Sequence, residues 1–203
     1  MVSTNPFASR QVRPGAIPFL FSGGDSVERI LDRLRQANWR GAIVGPHGSG
    51  KSTLLETLSP VWRRQGWTEV RVTFHTGGQS TGRLRRPRPD EILVVDGLEQ
   101  VAWPLRRWFL WRCAAVEARL LATCHQPLGL PVVFAPQPSA ALAQRLADRL
   151  QQSTDPLVSP AEAEATFLHH DADLRETLFQ LYRLYESRRK SGRELAATPK
   201  TRD

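Results

Sequence analysis

The chain has 203 residues, of which 40% are hydrophobic, and its formal net charge is +8 at pH 7. This length suits one α/β domain with a small appendage, and no apolar run approaches the ~20 residues that a membrane-spanning helix requires. Two cysteines and an N-terminus without a basic stretch before an apolar one predict a cytoplasmic protein with no disulfide framework and no membrane partner. The positive charge is almost entirely arginine, which leaves nucleic acid open as a partner.

The N-terminal segment, residues 1–24, is predicted to be an irregular arm because prolines and a Gly-Gly pair interrupt it. A helix up to about Asn38 is expected next, since the apolar side chains from Val27 to Leu34 recur at the spacing of one helical face. Two interpretations are open for this arm and helix: they cover a bound adenine, or they simply pack on the core.

The stretch from Gly45 to Thr53 contains the pattern Gly, four residues, Gly-Lys-Ser, which is typical of a phosphate-binding loop. An apolar run precedes it and helix-spaced leucines follow it, which predicts a strand, a loop and a helix. Loop N–H groups and the helix N-terminus then face an anion. Lys51 is expected to reach the β- and γ-phosphates, and the Ser52 hydroxyl to ligate Mg²⁺. The predicted nucleotide-binding residues are Gly45, Pro46, His47, Gly48, Ser49, Gly50, Lys51, Ser52 and Thr53.

A predicted loop at residues 77–90 follows a second predicted strand, and four arginines lie in its second half. These arginines either form a mobile basic finger that touches phosphates, or belong to a solvated connection. No aromatic residue interleaves with them, so base stacking by this loop is unsupported. The four residues are Arg83, Arg85, Arg86 and Arg88.

A continuous apolar run, residues 92–95, ends in Asp96 and predicts a strand that is buried on both faces. Ligands of open α/β sheets bind at the carboxyl ends of the strands. Asp96 therefore matches the Walker B position, which holds Mg²⁺ opposite Ser52. Ser52 and Asp96 are the predicted metal-binding residues.

The next predicted helix, from Trp103 to Ala118, has more apolar side chains than one buried stripe can hold. Some are expected to be exposed and to form a contact surface. Arg106, Arg107 and Arg112 lie among its tryptophans. They either contact nucleic acid or a neighbouring subunit's phosphates, or they belong to a solvated face beside the core.

Two more buried strands are predicted at residues 120–123 and 131–135, and helices follow them. The predicted organisation is an N-terminal arm at 1–24, a core at 25–153, a helical lid at 156–187 and a disordered basic tail at 188–203.

The order of loop, strands and terminal helices resembles that of the P-loop NTPases, and most closely the AAA+/STAND branch, over residues 40–185. Residues 96–100, Asp-Gly-Leu-Glu-Gln, are similar to the acid–Gly–x–acid segment of NACHT-type ATPases. Residues 121–127 are similar to the sensor-1 strand end of that branch, and residues 173–176 to its sensor-2 turn.

This resemblance implies a three-layer α/β fold with a parallel sheet of about five strands, in the order 5-1-4-3-2, and a small C-terminal helical lid. It implies ATP and Mg²⁺ as ligands, with Arg175 near the γ-phosphate and His125 where an arginine often sits. No acid directly follows Asp96, so Glu99 is the candidate for orienting water. The alternatives are a helix N-terminal acid for Glu99, a polar loop residue for His125, and an Arg175 that pairs with a carboxylate such as Asp171.

The predicted function is an Mg²⁺-dependent ATP-binding protein, either a slow ATPase or a nucleotide-controlled switch, with Lys51, Asp96 and Glu99 as the catalytic candidates. A small-molecule phosphotransferase and a non-catalytic nucleic-acid-binding module are the alternatives. No guanine-specific Asn-Lys-x-Asp segment is present. A protein partner or a homo-oligomer is left open by the sequence.

Overall fold

The computed structural model describes residues 5–75, 80–82, 85, 87–152 and 154–197, with side chains up to residue 191. Arg83 and Arg86 lie outside the described residues. The helices are α1 (Ser9–Val12), α2 (Val27–Gln36), α3 (Lys51–Arg64), α4 (Trp103–Ala115), α5 (Ala140–Gln151), α6 (Pro160–His169) and α7 (Leu174–Ala197). The strands are β1 (Arg40–Val44), β2 (Thr68–Thr73), β3 (Glu91–Asp96), β4 (Arg119–Cys124) and β5 (Val132–Phe134).

The five strands form one sheet in which every pairing is parallel, in the order β2-β3-β4-β1-β5. Read from the β5 edge, this order is 5-1-4-3-2. The predicted α/β class with a five-stranded parallel sheet is therefore confirmed. Because β1, β4 and β3 are adjacent and parallel, their carboxyl ends meet at the same edge of the sheet.

Both faces of the sheet are covered, as the continuous apolar run of β3 predicts. Ile92 and Val94 belong to a buried cluster with side chains of α2 and α3. Leu93 and Val95, the alternate residues, belong to a second cluster with Phe109 and Cys113 of α4. Helices therefore flank the sheet on both sides, an arrangement compatible with a three-layer fold.

The described chain separates into two compact units. The core unit is Pro18–Gln137, and the helical unit comprises the described residues of 1–17 and 138–203. The boundaries differ from the predicted ones, because α5 and residues 5–17 join the C-terminal helices. Phe7 explains the position of the N-terminal segment: it is buried in one cluster with Tyr185 of α7 and Ala147 of α5.

The last helix, α7, continues to Ala197, whereas disorder was predicted from residue 188. Arg188 at this point donates to both carboxylate oxygens of Glu162 on α6, and Arg189 pairs with Glu186 one turn earlier. These ion pairs attach the first part of the basic tail to its neighbours. Among the described helices, none combines the length and the apolar character that crossing a bilayer requires.

Candidate functional site

The connection between β1 and α3, residues 45–50, is here called the glycine loop. Gly48 and Gly50 have φ angles of +67° and +88°, which lie in the left-handed region that favours glycine. Gly50 is the N-cap of α3, and no side chain caps this helix. The first N–H groups of α3 therefore lack the side-chain acceptor that helix starts commonly have, and the positive end of the helix dipole adds to them. This backbone suits an anionic ligand.

Lys51, the first residue of α3, folds back over the glycine loop. Its ammonium group donates to the carbonyl oxygens of Gly45 and Pro46, both at 2.7 Å. The Ser49 hydroxyl donates to the same Pro46 oxygen at 2.9 Å. A positive charge is thus held against the loop backbone.

Asp96, at the carboxyl end of β3, lies between two hydroxyl groups from neighbouring elements. Ser52 of α3 donates to its Oδ2 at 2.8 Å, and Thr123 of β4 donates to its Oδ1. Thr123 also accepts from the Gly97 N–H at 2.9 Å. The structure therefore brings together Ser52 and Asp96, the two residues predicted to share a metal.

Thr123 is a site residue that the sequence analysis did not assign. It is fully buried near the carboxyl end of β4, after the apolar residues 120–122. A hydroxyl at the carboxyl end of the strand adjacent to β3 is the signal that could have identified it. The predicted strand order puts β3 beside β4, but it does not show which side chains meet there.

Glu99 lies on a 3₁₀ turn, Leu98–Gln100, directly after Asp96 and Gly97. The turn requires glycine at position 97, where φ is +82° and a Cβ would lie 2.7 Å from the Phe74 carbonyl oxygen. Glu99 Oε1 lies 3.3 Å from His125 Nε2. Its other oxygen, Oε2, is buried and has no hydrogen-bond partner among the described residues. A buried carboxylate oxygen without a partner indicates that a donor such as water or ligand belongs there.

His125 follows β4 and contacts His47 of the glycine loop, with ring centroids 3.9 Å apart in an edge-to-face arrangement. Burial lowers the pKa of His125; Glu99 acts in the opposite direction, and Lys51 and His47 add to the lowering. The neutral imidazole is therefore favoured near pH 7. His125 cannot supply the fixed charge of an arginine at this position.

Cys124, at the end of β4, lies beside this cluster. Burial, and to a smaller extent the charge of Glu99, raise the pKa of its thiol to about 11. Cys113 on α4 is likewise buried, with a pKa of about 11. Neither thiol is a reactive nucleophile, because only the thiolate reacts readily.

The part of the N-terminal arm that belongs to the core unit packs beside the glycine loop. The Phe19 N–H donates to the Thr57 hydroxyl at 2.8 Å, and that hydroxyl donates to the Thr53 carbonyl. A Cβ on Gly50 would lie 3.1 Å from the Phe19 ring, which also packs edge to face on Phe134. This aromatic side chain therefore borders the loop, and an adenine-covering role stays a prediction.

Arg175 lies in the helical unit, in the first turn of α7, and its side chain is exposed. Its backbone N–H donates to Asp173 at 2.8 Å. Within the described residues, the alternative ion pair with Asp171 is not formed. A phosphate-sensing role for Arg175 stays a prediction.

Arg85, from the arginine-rich loop, makes a bidentate ion pair with Glu91 at 2.7 and 2.8 Å. This pair and the Arg88 N–H hold the pKa of Glu91 at about 2. Glu91 begins β3 and Asp96 ends it, so the two residues lie about 16 Å apart along the strand. Arg85 therefore lies at the amino end of the sheet, away from Asp96.

These features define an α/β protein with a candidate anion and metal site at the carboxyl ends of β1, β3 and β4. No family model matches the chain, and no curated protein matches it significantly. The function of this site has therefore to be inferred from its own residues.

Proposed function

We propose that the protein binds ATP with Mg²⁺ at the glycine loop and acts as a nucleotide-controlled switch or slow ATPase of the AAA+/STAND type. The observation that carries this proposal is the hydrogen bond of 2.8 Å between the Ser52 hydroxyl and Asp96. It joins the helix after the glycine loop to an acidic strand end 44 residues away in the sequence. A simple glycine turn between a strand and a helix has no need of this pairing.

Phosphate groups fit the glycine loop because it offers N–H donors and a positive charge together. In the proposed complex, the Lys51 ammonium exchanges the carbonyl oxygens of Gly45 and Pro46 for phosphate oxygens. Charged acceptors make stronger hydrogen bonds with an ammonium than carbonyl oxygens do. Phe19 at the loop border is available to pack against the base.

Mg²⁺ fits Ser52 and Asp96 because it prefers hydroxyl and carboxylate oxygens. Within the described residues, no group of three or more His, Cys, Asp or Glu could hold a metal. The proposed ion therefore takes its other ligands from phosphate and water, which is common for Mg²⁺. When bound, Mg²⁺ neutralises charge on the β- and γ-phosphates.

Glu99 is the proposed residue for hydrolysis, because its unpartnered Oε2 can accept a hydrogen bond from water. His125 Nε2 lies 3.3 Å from the other oxygen of the same carboxylate. The lowered pKa of His125 keeps the imidazole neutral. It therefore stabilises the negative charge on the γ-phosphoryl group during hydrolysis less than an arginine would. Slow turnover of ATP is the expected result.

A switch with this site would act through a protein partner or through a second copy of the chain.

ATP binding is tested by thermal melting with ATP, ADP and GTP, with and without Mg²⁺. We expect MgATP to raise the melting temperature, since a ligand that binds only the folded state stabilises it. Lys51→Ala should abolish this shift. Lys190→Ala, which removes an exposed lysine from α7, is the matched control and should keep it. A full ATP shift in Lys51→Ala would eliminate the proposal.

Hydrolysis is tested separately with Glu99→Gln, which keeps the shape of the side chain. The variant should retain the MgATP melting shift but release phosphate at least about 100-fold more slowly, the usual size of a general-base effect. Unchanged phosphate release would remove Glu99 from the mechanism. Turnover that requires an added acceptor would indicate a phosphotransferase instead.

A further inference from the structure

Helix α4 exposes an unusual number of aromatic side chains. Trp103, Trp108 and Trp111 are 61%, 55% and 64% exposed, and Leu105 beside them is 48% exposed. Only Phe109 and Cys113 of this helix are buried. Half of the chain's six tryptophans therefore point into solvent from one helix. An exposed apolar group of this size marks a contact surface.

Arginines lie between these tryptophans on the same outward face. The Arg107 guanidinium lies over the Trp103 ring at 5.3 Å, and the Arg112 guanidinium lies over the Trp108 ring at 5.7 Å. Both distances are within the range of cation–π contacts. The helix also contains Arg106 and has no acidic residue. The face is therefore aromatic and positively charged throughout.

We propose that this face, Trp103, Arg107, Trp108, Trp111 and Arg112, docks on an anionic lipid surface. Tryptophan is enriched at the headgroup level of membranes, where one part of the ring is in apolar surroundings and its N–H is hydrated. Arginines beside it bind lipid phosphates, and each basic residue near an anionic bilayer strengthens the attachment. Within α4 itself, no acidic side chain is present to repel the lipid.

Three features favour lipid over other occupants. A second copy of the chain would bring arginines of both faces together with no α4 carboxylate to offset them. Single-stranded nucleic acid is usually bound in a basic groove by stacking on open aromatic faces. Here the rings protrude from a convex helix, and guanidinium groups already cover one side of Trp103 and Trp108. A fluid headgroup layer can surround such protruding rings.

This inference goes beyond nucleotide binding and does not depend on it. It differs from the expectation that the protein has no membrane partner, which stays a prediction. That expectation followed from the lack of an apolar run long enough to span a bilayer, and surface docking needs no such run.

The test uses the full chain and vesicles of phosphatidylcholine, with or without phosphatidylglycerol, in a sedimentation assay at low and high salt. We expect binding only to the anionic vesicles and a shift of tryptophan emission to shorter wavelength. Arg107→Gln with Arg112→Gln should weaken binding about tenfold or more. The matched control, Arg145→Gln with Arg149→Gln on the exposed side of α5, removes the same charge and should change binding less than threefold.

A triple variant, Trp103→Ala, Trp108→Ala and Trp111→Ala, should lose vesicle binding while its melting temperature and MgATP shift stay as in the parent. Equal weakening by the α4 and α5 arginine pairs would overturn the proposal, because diffuse charge would then explain the binding. Absence of vesicle binding would also overturn it. In that case, binding of an oligothymidylate would identify nucleic acid as the occupant, and a dimer abolished by the triple variant would identify a second copy.

Discussion

At the scale of single residues, the side chains around Asp96 fix its carboxylate before any ligand is bound. Ser52 and Thr123 donate to different oxygens of this carboxylate, and the Gly97 N–H donates to Thr123 in turn. Each hydroxyl comes from a separate element, α3 or β4. A group held in this way loses little freedom when it binds a metal, which favours affinity.

Thr123→Val tests this arrangement, because valine has the same shape but no hydroxyl. The Gly97 N–H would lose its acceptor and Asp96 one donor, so we expect the free energy of unfolding to fall by about 1–3 kcal/mol. The Mg²⁺-dependent part of the ATP melting shift should also fall. Thr177→Val, which removes a buried hydroxyl from α7, is the control and should leave the Mg²⁺ dependence unchanged. A Thr123→Val protein with the parental Mg²⁺ dependence would contradict this role.

The sequence predicts Ser52 and Asp96 as partners because each belongs to a local pattern with a known place in a parallel sheet. Thr123 lies in the segment that resembles a sensor-1 strand end, but nothing in that resemblance assigns its hydroxyl to Asp96, and a threonine in a buried strand is common. The contacts of Glu99 with His125 and of His125 with His47 depend on how three loops pack together. Local residue patterns carry no information on that packing.

At the scale of elements, the N-terminus of α6 is closed by a capping box, in which the N-cap residue and the third helical residue bond to each other. The Ser159 hydroxyl accepts from the Glu162 N–H, and the Glu162 carboxylate accepts from the Ser159 N–H at 2.9 Å. Arg188 of α7 donates to the same carboxylate at 2.8 Å. Hydrogen bonds from Arg188, and then from Ser159, lower the pKa of Glu162 to about 2.

Glu162→Ala should therefore destabilise the protein in a pH-dependent way. A carboxyl group with a lowered pKa stabilises the fold above its ordinary value of 4.5, and this contribution is lost as the pH falls through about 2. We expect a loss of about 1 kcal/mol at pH 7, typical of a helix cap, and no difference from the parent near pH 2. Urea unfolding at pH 7, 5, 3 and 2 measures this. Asp148→Ala, an exposed change on α5, should stay within about 0.5 kcal/mol at each pH.

The elements themselves could largely be predicted, because buried strands are apolar runs and α2 has a clear apolar face. Their division into a core unit and a helical unit could not be predicted. Phe7 packs against Tyr185 from nearly the other end of the sequence, and only the folded chain shows this contact. The C-terminal part of α7 could not be predicted for the same reason. A basic, polar composition predicts disorder there, but Arg188 forms an ion pair with Glu162 on another helix.

At the scale of the whole molecule, the candidate site and the helical unit are separate parts of the chain. The glycine loop, Asp96 and Glu99 all belong to the core unit. Arg175 belongs to the helical unit, and its place near the γ-phosphate is a prediction from the resemblance alone.

Arg175→Ala tests whether the helical unit reads the γ-phosphate. Arg175 is exposed and has no ion-pair partner among the described side chains, so the ligand-free melting temperature should not change. We expect ATP to bind about tenfold or more weakly, since a hydrogen bond to a charged group contributes about 1.5–3 kcal/mol, while ADP binding stays the same. Arg145→Ala on α5 is the control and should alter neither. Measured by titration calorimetry, an unchanged ratio of ATP to ADP affinity in Arg175→Ala would show that the helical unit is not a γ-phosphate sensor.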